Sequence, residues 1–346
     1  MTYQPGLFEP PGAPKRQKSE RVPAPGEVRP SWDSPLLQAP VLPTDIRLGT
    51  SSWFFPGWRG LVYEGVHPQT ALSKKGLAAY AQIPVLRTVS LDRTFYAPIT
   101  TVEYERYANQ VPDHFSFVVK APALICDAVM RDDEGRGKVP NPHFLDPAIA
   151  AREFVVPCLE GLGAKAGPLV FQVSPLPRGL VEEAPMLIER LAAFFAALPR
   201  KLGKLEPLLA LELRNAELLT PRLMRMLREQ GVRYCVGLHD RMPEAERQEI
   251  ALAALDGEAP GDLMVRWNLH RGFLYQTAKQ RYEPFDKLVD EDPETRRTLA
   301  RMAAKAFRAG RKVWITANNK AEGSAPLSLV KLAEEIANNL QSPGTD

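Results

Sequence analysis

The sequence predicts an α/β protein, a (β/α)8 TIM-type barrel with a disordered N-terminal tail. Three observations carry this prediction. Short apolar runs of strand length recur along the chain. Helical patterns, with apolar residues recurring at three and four, lie between them. About eight such units occupy roughly 300 residues, the size of a closed barrel with some long loops. Strands that alternate with helices are parallel, because parallel neighbours need a long crossover. A doubly wound open sheet is the main alternative. The first strand is not followed by a G-x-G-x-x-G turn, so no dinucleotide site is indicated and the cofactor is left unassigned.

Residues 1–43 carry Pro5, Pro10, Pro11, Pro14, Pro23, Pro25, Pro30, Pro35, Pro40 and Pro43 beside the basic cluster Lys15, Arg16 and Lys18. That composition predicts a disordered tail over 1–43 and a barrel domain over 44–343. The predicted strands are 45–50, 85–91, 115–120, 168–173, 208–214, 232–238, 262–268 and 312–317. Predicted helices cover 181–198, 217–229, 293–309 and 326–340.

Composition narrows the functional classes. The chain of 346 residues is 45% hydrophobic and 25% charged with a net charge of +3, which is globular and not broadly polycationic. Cys126, Cys158 and Cys235 are widely spaced, so neither a disulfide framework nor a zinc knuckle is expected and a reducing cytoplasm is. No apolar run approaches the roughly 20 residues of a membrane span. The histidines lack metal-ligand spacing, so no metal site is predicted.

Polar residues at the C-terminal ends of barrel strands are informative, because chemistry in this fold is done at that mouth. In 208–214 the alternation sends Leu209, Leu211 and Leu213 to one face and Ala210, Glu212 and Arg214 into the barrel. Lys120, Gln172, Arg266, Asn268, Asn318 and Asn319 end other strands, as do Ser90 with Asp92 and His239 with Asp240. A buried ion pair of Glu212 with Lys120 or Arg214 that serves only structure is the plainer alternative. The number of strands ending this way favours a functional mouth. In 318–326, NNKAEGSAP, Ser324 is a candidate N-cap whose helix N-terminus would suit an anion. A well-capped helix without a ligand is the competing reading. His239 with Asp240 reads as a hydrogen-bonded pair.

The loop GTSSWFFPGWRG (49–60) follows the first strand. Trp53 and Trp58 are candidates for a stacking wall at the rim, and Phe54 and Phe55 for a local core. Two long segments, 121–146 and 269–292, are candidate lids. The second mixes Arg271, Lys279 and Arg281 with Tyr275 and Tyr282, a combination suited to phosphate and base contacts.

GTSSWFFPGWRG, TVSLDRTFY (88–96), FSFVVKAP (115–122), GPLVFQVSP (167–175), LALELRN (209–215) and WITANNKAEGSAP (314–326) together resemble the YecE-like family, also called domain of unknown function 72. The resemblance covers essentially all of 44–340. It implies a TIM barrel with a polar pocket and names no reaction. It carries over to Trp53, Trp58, Thr94, Phe95, Tyr96, Lys120, Gln172, Glu212, Arg214, Asn318 and Asn319. The chain departs from the family in having Ser90 and Asp92 where the family commonly places its acid at the first of these positions. It also has Asn215 where the family often has histidine.

The expected function is therefore an enzyme acting on a small anionic ligand, containing phosphate or sugar phosphate, by hydrolase or lyase chemistry. Glu212 and Lys120 are the catalytic candidates. Arg214, Arg266, Asn318, Asn319, Gln172, Trp53, Trp58, Tyr96, Ser324, Asp92 and Asp240 are the ligand-binding ones. The alternatives are a nucleic-acid-associated protein and a non-catalytic ligand sensor or scaffold. For the former, QPGLF (4–8) resembles the peptide that docks on the DNA sliding clamp, through Leu7 and Phe8.

Overall fold

The computed structural model describes residues 27–131, 137–257 and 259–342. In chain order the strands are β1 (Ile46–Thr50), β2 (Thr88–Leu91), β3 (Ser116–Lys120), β4 (Val129–Arg131), β5 (Gly137–Pro140), β6 (Ala166–Gln172), β7 (Leu208–Glu212), β8 (Arg233–Leu238), β9 (Leu263–Trp267) and β10 (Val313–Ala317). Eight of them close into a parallel barrel in the order β1-β10-β9-β8-β7-β6-β3-β2, with β1 bonded to both β10 and β2. Each coincides with a predicted strand. The remaining two, β4 and β5, form an antiparallel ribbon inside the segment read as a lid, and 132–136 lie outside the described residues.

Alternation along the strands sets the layers. Leu209 and Leu211 of β7 join the large core beneath the helices, where Phe171 meets Phe154, Phe194 and Phe195 edge to face. Val118, Val170, Ala210, Cys235, Met264 and Trp314 form a separate apolar cluster inside the barrel. Trp314 fixes its indole by donating to Ser116 Oγ at 2.8 Å and lies under the Arg47 guanidinium. Two residues further along the same strands come Lys120, Gln172, Glu212, Gly237, Arg266 and Thr316. A side chain repeats its face every second residue, so the barrel interior changes from apolar to charged in one step towards its C-terminal end.

The helices start where local chemistry allows. Asp292 accepts from Thr295 N at the head of Pro293–Arg308, and Thr220 accepts from Leu223 N at the head of Pro221–Glu229. The single helix expected over 181–198 is two, Arg178–Glu182 and Ala184–Ala197. Pro185 has no N–H to continue the first helix and instead sits in the opening turn of the second. No helix among the described residues is long and apolar enough to cross a membrane.

The tail boundary shifts. Residues 27–43, expected to be disordered, lie on the barrel, with Val28, Leu36 and Leu42 buried and Ser31 N bonded to Val62 O at 2.9 Å. These apolar side chains, with Ser34 capping a short turn at Leu36 N, offset the ordering entropy of a segment that proline has already stiffened. QPGLF lies outside the described residues.

Closure of the barrel depends on a close approach at Gly49. A Cβ there would stand 1.8 Å from the carbonyl oxygen of Thr88 on β2. Gly49→Ala is expected to destabilise the protein by about 2–3 kcal/mol, read from urea unfolding, because backbone rather than a flexible side chain must move. An alanine variant as stable as the parent would contradict this account.

Candidate active site

The inward residues at the C-terminal ends of β6, β7 and β9 meet at one buried carboxylate. Glu212 is fully buried, with Oε2 accepting from Arg266 Nη1 at 2.6 Å and Oε1 lying 2.8 Å from Arg214 Nη2. Gln172 Oε1 accepts from Arg214 Nη2 at 2.9 Å and from Arg266 Nη1 at 3.2 Å. Arg266 Nη2 reaches across to both oxygens of Asp92 at 2.8 Å, and Ser90 Oγ donates to Asp92 Oδ1 at 2.6 Å. Asn268 Nδ2 completes the group, 3.5 Å from Glu212 Oε1. Gly237 leaves room for the carboxylate, since a Cβ there would stand 2.9 Å from Glu212 Oε1.

Charge states follow from this geometry. Burial pushes the Glu212 carboxyl up, but Arg214 and Arg266 outweigh it and hold the group below the ordinary carboxylate range. Burial disfavours charge on Arg266 too, and Asp92 with Glu212 reverses that. Lys120 is 9% exposed, and among the described residues its ammonium has neither a hydrogen bond nor an ion pair. It lies over the Phe95 ring, 3.5 Å from the centroid. Burial pushes the Lys120 amine down to about 8, with Asp92 and Glu212 opposing and Arg266 and Arg214 assisting. Thr94 Oγ1 donates to the carbonyls of Leu91 and Lys120, fixing the turn that carries Phe95 against β3.

Other predicted residues are placed differently. Trp53 and Trp58 are 4% and 0% exposed, so neither offers a face to a ligand. Their N–H groups are engaged by Leu72 O at 3.1 Å and Asn319 Oδ1 at 3.2 Å, and Phe55 packs between Trp58 and Phe285. The aromatic loop is a plug tying the turn after β1 to the turns after β9 and β10. Asn319 and Ser324 are buried as well and do not face a ligand. Asn319 Oδ1 caps Ala325 N at 2.9 Å, and Ser324 is fully buried and makes no side-chain bond to the helix it precedes. Asn318 Nδ2 donates to Ser51 Oγ at 2.8 Å. Asp240 pairs with His239 on a neighbouring cavity of about 380 Å³, also lined by His270 and Arg271. Burial and Arg214 push the His239 imidazole down to about 4 despite Asp240. Tyr96 stands at the rim, 85% exposed.

The segment 269–292 is not a structureless lid. It contains the helix Tyr275–Tyr282, and its end is anchored by Glu322, which accepts from Asp292 N at 2.6 Å and pairs with Arg296. Arg281 pairs with Asp290 and Lys279 with Glu283 inside the segment, and Arg271 pairs with Glu294 at the head of the following helix. Among the described residues no three His, Cys, Asp or Glu side chains gather as a metal site would require. Sequence reasoning missed Lys320 and Gly237 as parts of the mouth, whereas Asn268 stands there as its place at a strand end implies.

Comparison with known proteins agrees with this architecture. A family model described as "Protein of unknown function DUF72" matches residues 47–345. No curated protein matches the chain. A DUF72 family protein from Thermotoga maritima MSB8 is 19% identical with a TM-score of 0.56, over 84% of this chain and 99% of that one. One from Enterococcus faecalis V583 is 16% identical with a TM-score of 0.52, over 86% and 96%. At such identities the likeness shows the fold alone. The family match spans nearly the whole barrel and the motif resemblance runs through the same strands, so the chain belongs to the DUF72 family.

Proposed function

We propose that the protein is an enzyme that binds an anionic, phosphate- or sugar-phosphate-containing ligand at the C-terminal mouth of the barrel, with Lys120 as its proton-transferring group. The observation that carries this reading is the buried Lys120 ammonium, which has no acid of its own among the described residues. Three cations, Lys120, Arg214 and Arg266, face two acids, Glu212 and Asp92, and both acids are engaged by arginines. Arg214 Nη1 is buried and without a partner, a donor left over for a ligand oxygen.

Glu212 takes a different role from the general acid or base expected of it. Both its oxygens are occupied and its carboxyl is held ionised, so it serves as the fixed counter-ion that aims Arg214 and Arg266. Lys120 has the freedom Glu212 lacks. With a pKa of about 8, roughly one-tenth of it is neutral at pH 7 and able to take a proton. The charged remainder can protonate a leaving oxygen, as hydrolysis or elimination at a phosphate or sugar ester requires.

Two substitutions separate these roles. Lys120→Met removes an uncompensated buried cation, so the variant should melt at the same or a higher temperature, while stabilisation by inorganic phosphate disappears. Phosphate stabilisation that persists in Lys120→Met would take the lysine out of the site. Glu212→Gln leaves the buried Arg214 without an acid and Arg266 with Asp92 alone, and should cost about 3–5 kcal/mol in urea unfolding. A Gln variant of parental stability would mean that the arginines do not depend on it.

The pH dependence has a definite sign. Asp92 favours the charged form of Lys120, so Asp92→Asn should move the lysine further below about 8. The pH profile of amine labelling at Lys120, resolved by peptide mass mapping, measures this. A profile that stays put or shifts upward is the contrary result.

A further inference from the structure

A second lysine at the same end of the barrel is buried without a carboxylate. Lys320 is 6% exposed, and among the described residues no acid pairs with it. Its Nζ lies 4.1 Å from the centroid of the Tyr275 ring and 5.8 Å from that of Phe285. Its one side-chain hydrogen bond is a long contact of 3.4 Å to Asn318 Oδ1. Burial and Lys279 push the amine down to about 8, with Glu283 opposing, and Lys279 and Glu283 stand 3.9 Å apart. Cation–π contact with these rings offsets only part of the cost of burying an ammonium without an acid.

Its place in the fold is equally specific. Lys320 follows β10, and its carbonyl accepts from His270 N at 2.8 Å, joining the turns after β9 and β10. In barrels those two turns, after the seventh and eighth barrel strands, are where phosphate is commonly held. At the helix N-terminus nearby Asn319 Oδ1 takes the N–H of Ala325, and Lys279 is paired with Glu283, so Lys320 is a cation there without an acid among the described residues. Phe285 is held at a φ of 73°, a strained conformation for a bulky residue that costs about 1–3 kcal/mol. Its ring is thereby kept against Phe55 and Lys320. Tyr275, the other ring on the ammonium, is 46% exposed, so an anion reaches Lys320 by displacing one side chain. Burial pushes both the Tyr275 and the Tyr96 phenol up, and Asp92 lies within electrostatic reach of each.

We propose that Lys320 forms a second anion subsite, across Tyr275 from Asp92, so that the ligand carries two anionic groups, phosphoryl or carboxylate, joined by a body that lies against Tyr275 and Tyr96. The inference rests on the mouth being the ligand site and adds the ligand's span and its second charge.

The test is competitive reductive methylation of the full chain, resolved by lysine, with inorganic phosphate and with α,ω-alkylene bisphosphonates of increasing length. Phosphate should slow modification of Lys120 and Lys320 alike. One bisphosphonate length should protect at a concentration lower than phosphate by about tenfold or more, because the second contact becomes intramolecular. Lys320→Met should abolish that length-dependent gain while leaving phosphate protection of Lys120. Protection of Lys120 without Lys320, or a gain that survives Lys320→Met, overturns the second subsite alone. Protection of neither lysine overturns the mouth as an anion site as well. The wild-type arm stands even if the variant folds poorly.

Discussion

Arg266 is the member on which the mouth depends. One guanidinium spans from Glu212 on β7 and Gln172 on β6 to Asp92 in the turn after β2, positions on different sides of the ring. A planar, permanently charged group with donors at fixed angles can serve such separated acceptors at once, which a lysine cannot. The arrangement also sets the competition for acids. Because Arg266 takes Asp92 in two hydrogen bonds and shares Glu212 with Arg214, the remaining cations face a shortage of carboxylates. The surplus positive charge is a property of the hydrogen-bond network and would not emerge from counting acids and bases along the chain.

Beneath the network lies the apolar floor of Val118, Val170, Ala210, Cys235, Met264 and Trp314. A charge standing on such a floor is poorly solvated from below, so its interactions are stronger than the same contacts made in water. This is why burial holds the Lys120 amine down at about 8 although two carboxylates stand near it. Water withheld by the floor outweighs the acids, and the arginines add to the effect.

Much of the barrel was legible because parallel strands covered on both faces have to be short, apolar and bounded by turns. Glu212 was legible as an inward residue from alternation with Leu211 and Leu213. Its role as counter-ion was not, since that depends on Arg266, far away in sequence. Trp53 and Trp58 show a second limit. Aromatic rings in a loop rich in glycine and proline read alike whether they face a ligand or plug a gap. What decides is the packing of Phe285 and Asn319, both remote in the chain. The tail misled for a related reason. Abundant proline marks chain that makes little regular structure, yet such chain can still lie flat on a surface when Leu36 and Leu42 have somewhere to go.

Asp92 shows how a buried contact can be made from a different position in the chain. The family commonly carries an acid where this chain has Ser90, and a comparison made column by column would score that acid as lost. In the folded molecule the serine instead donates to an aspartate two residues further on, which binds the same guanidinium as the buried glutamate. The relocation works because Asp92 opens the helical turn that follows β2, where Ser90 Oγ holds its carboxylate and Arg266 receives it. Relatives of this barrel are therefore better compared by which atoms meet inside the ring than by which letters align.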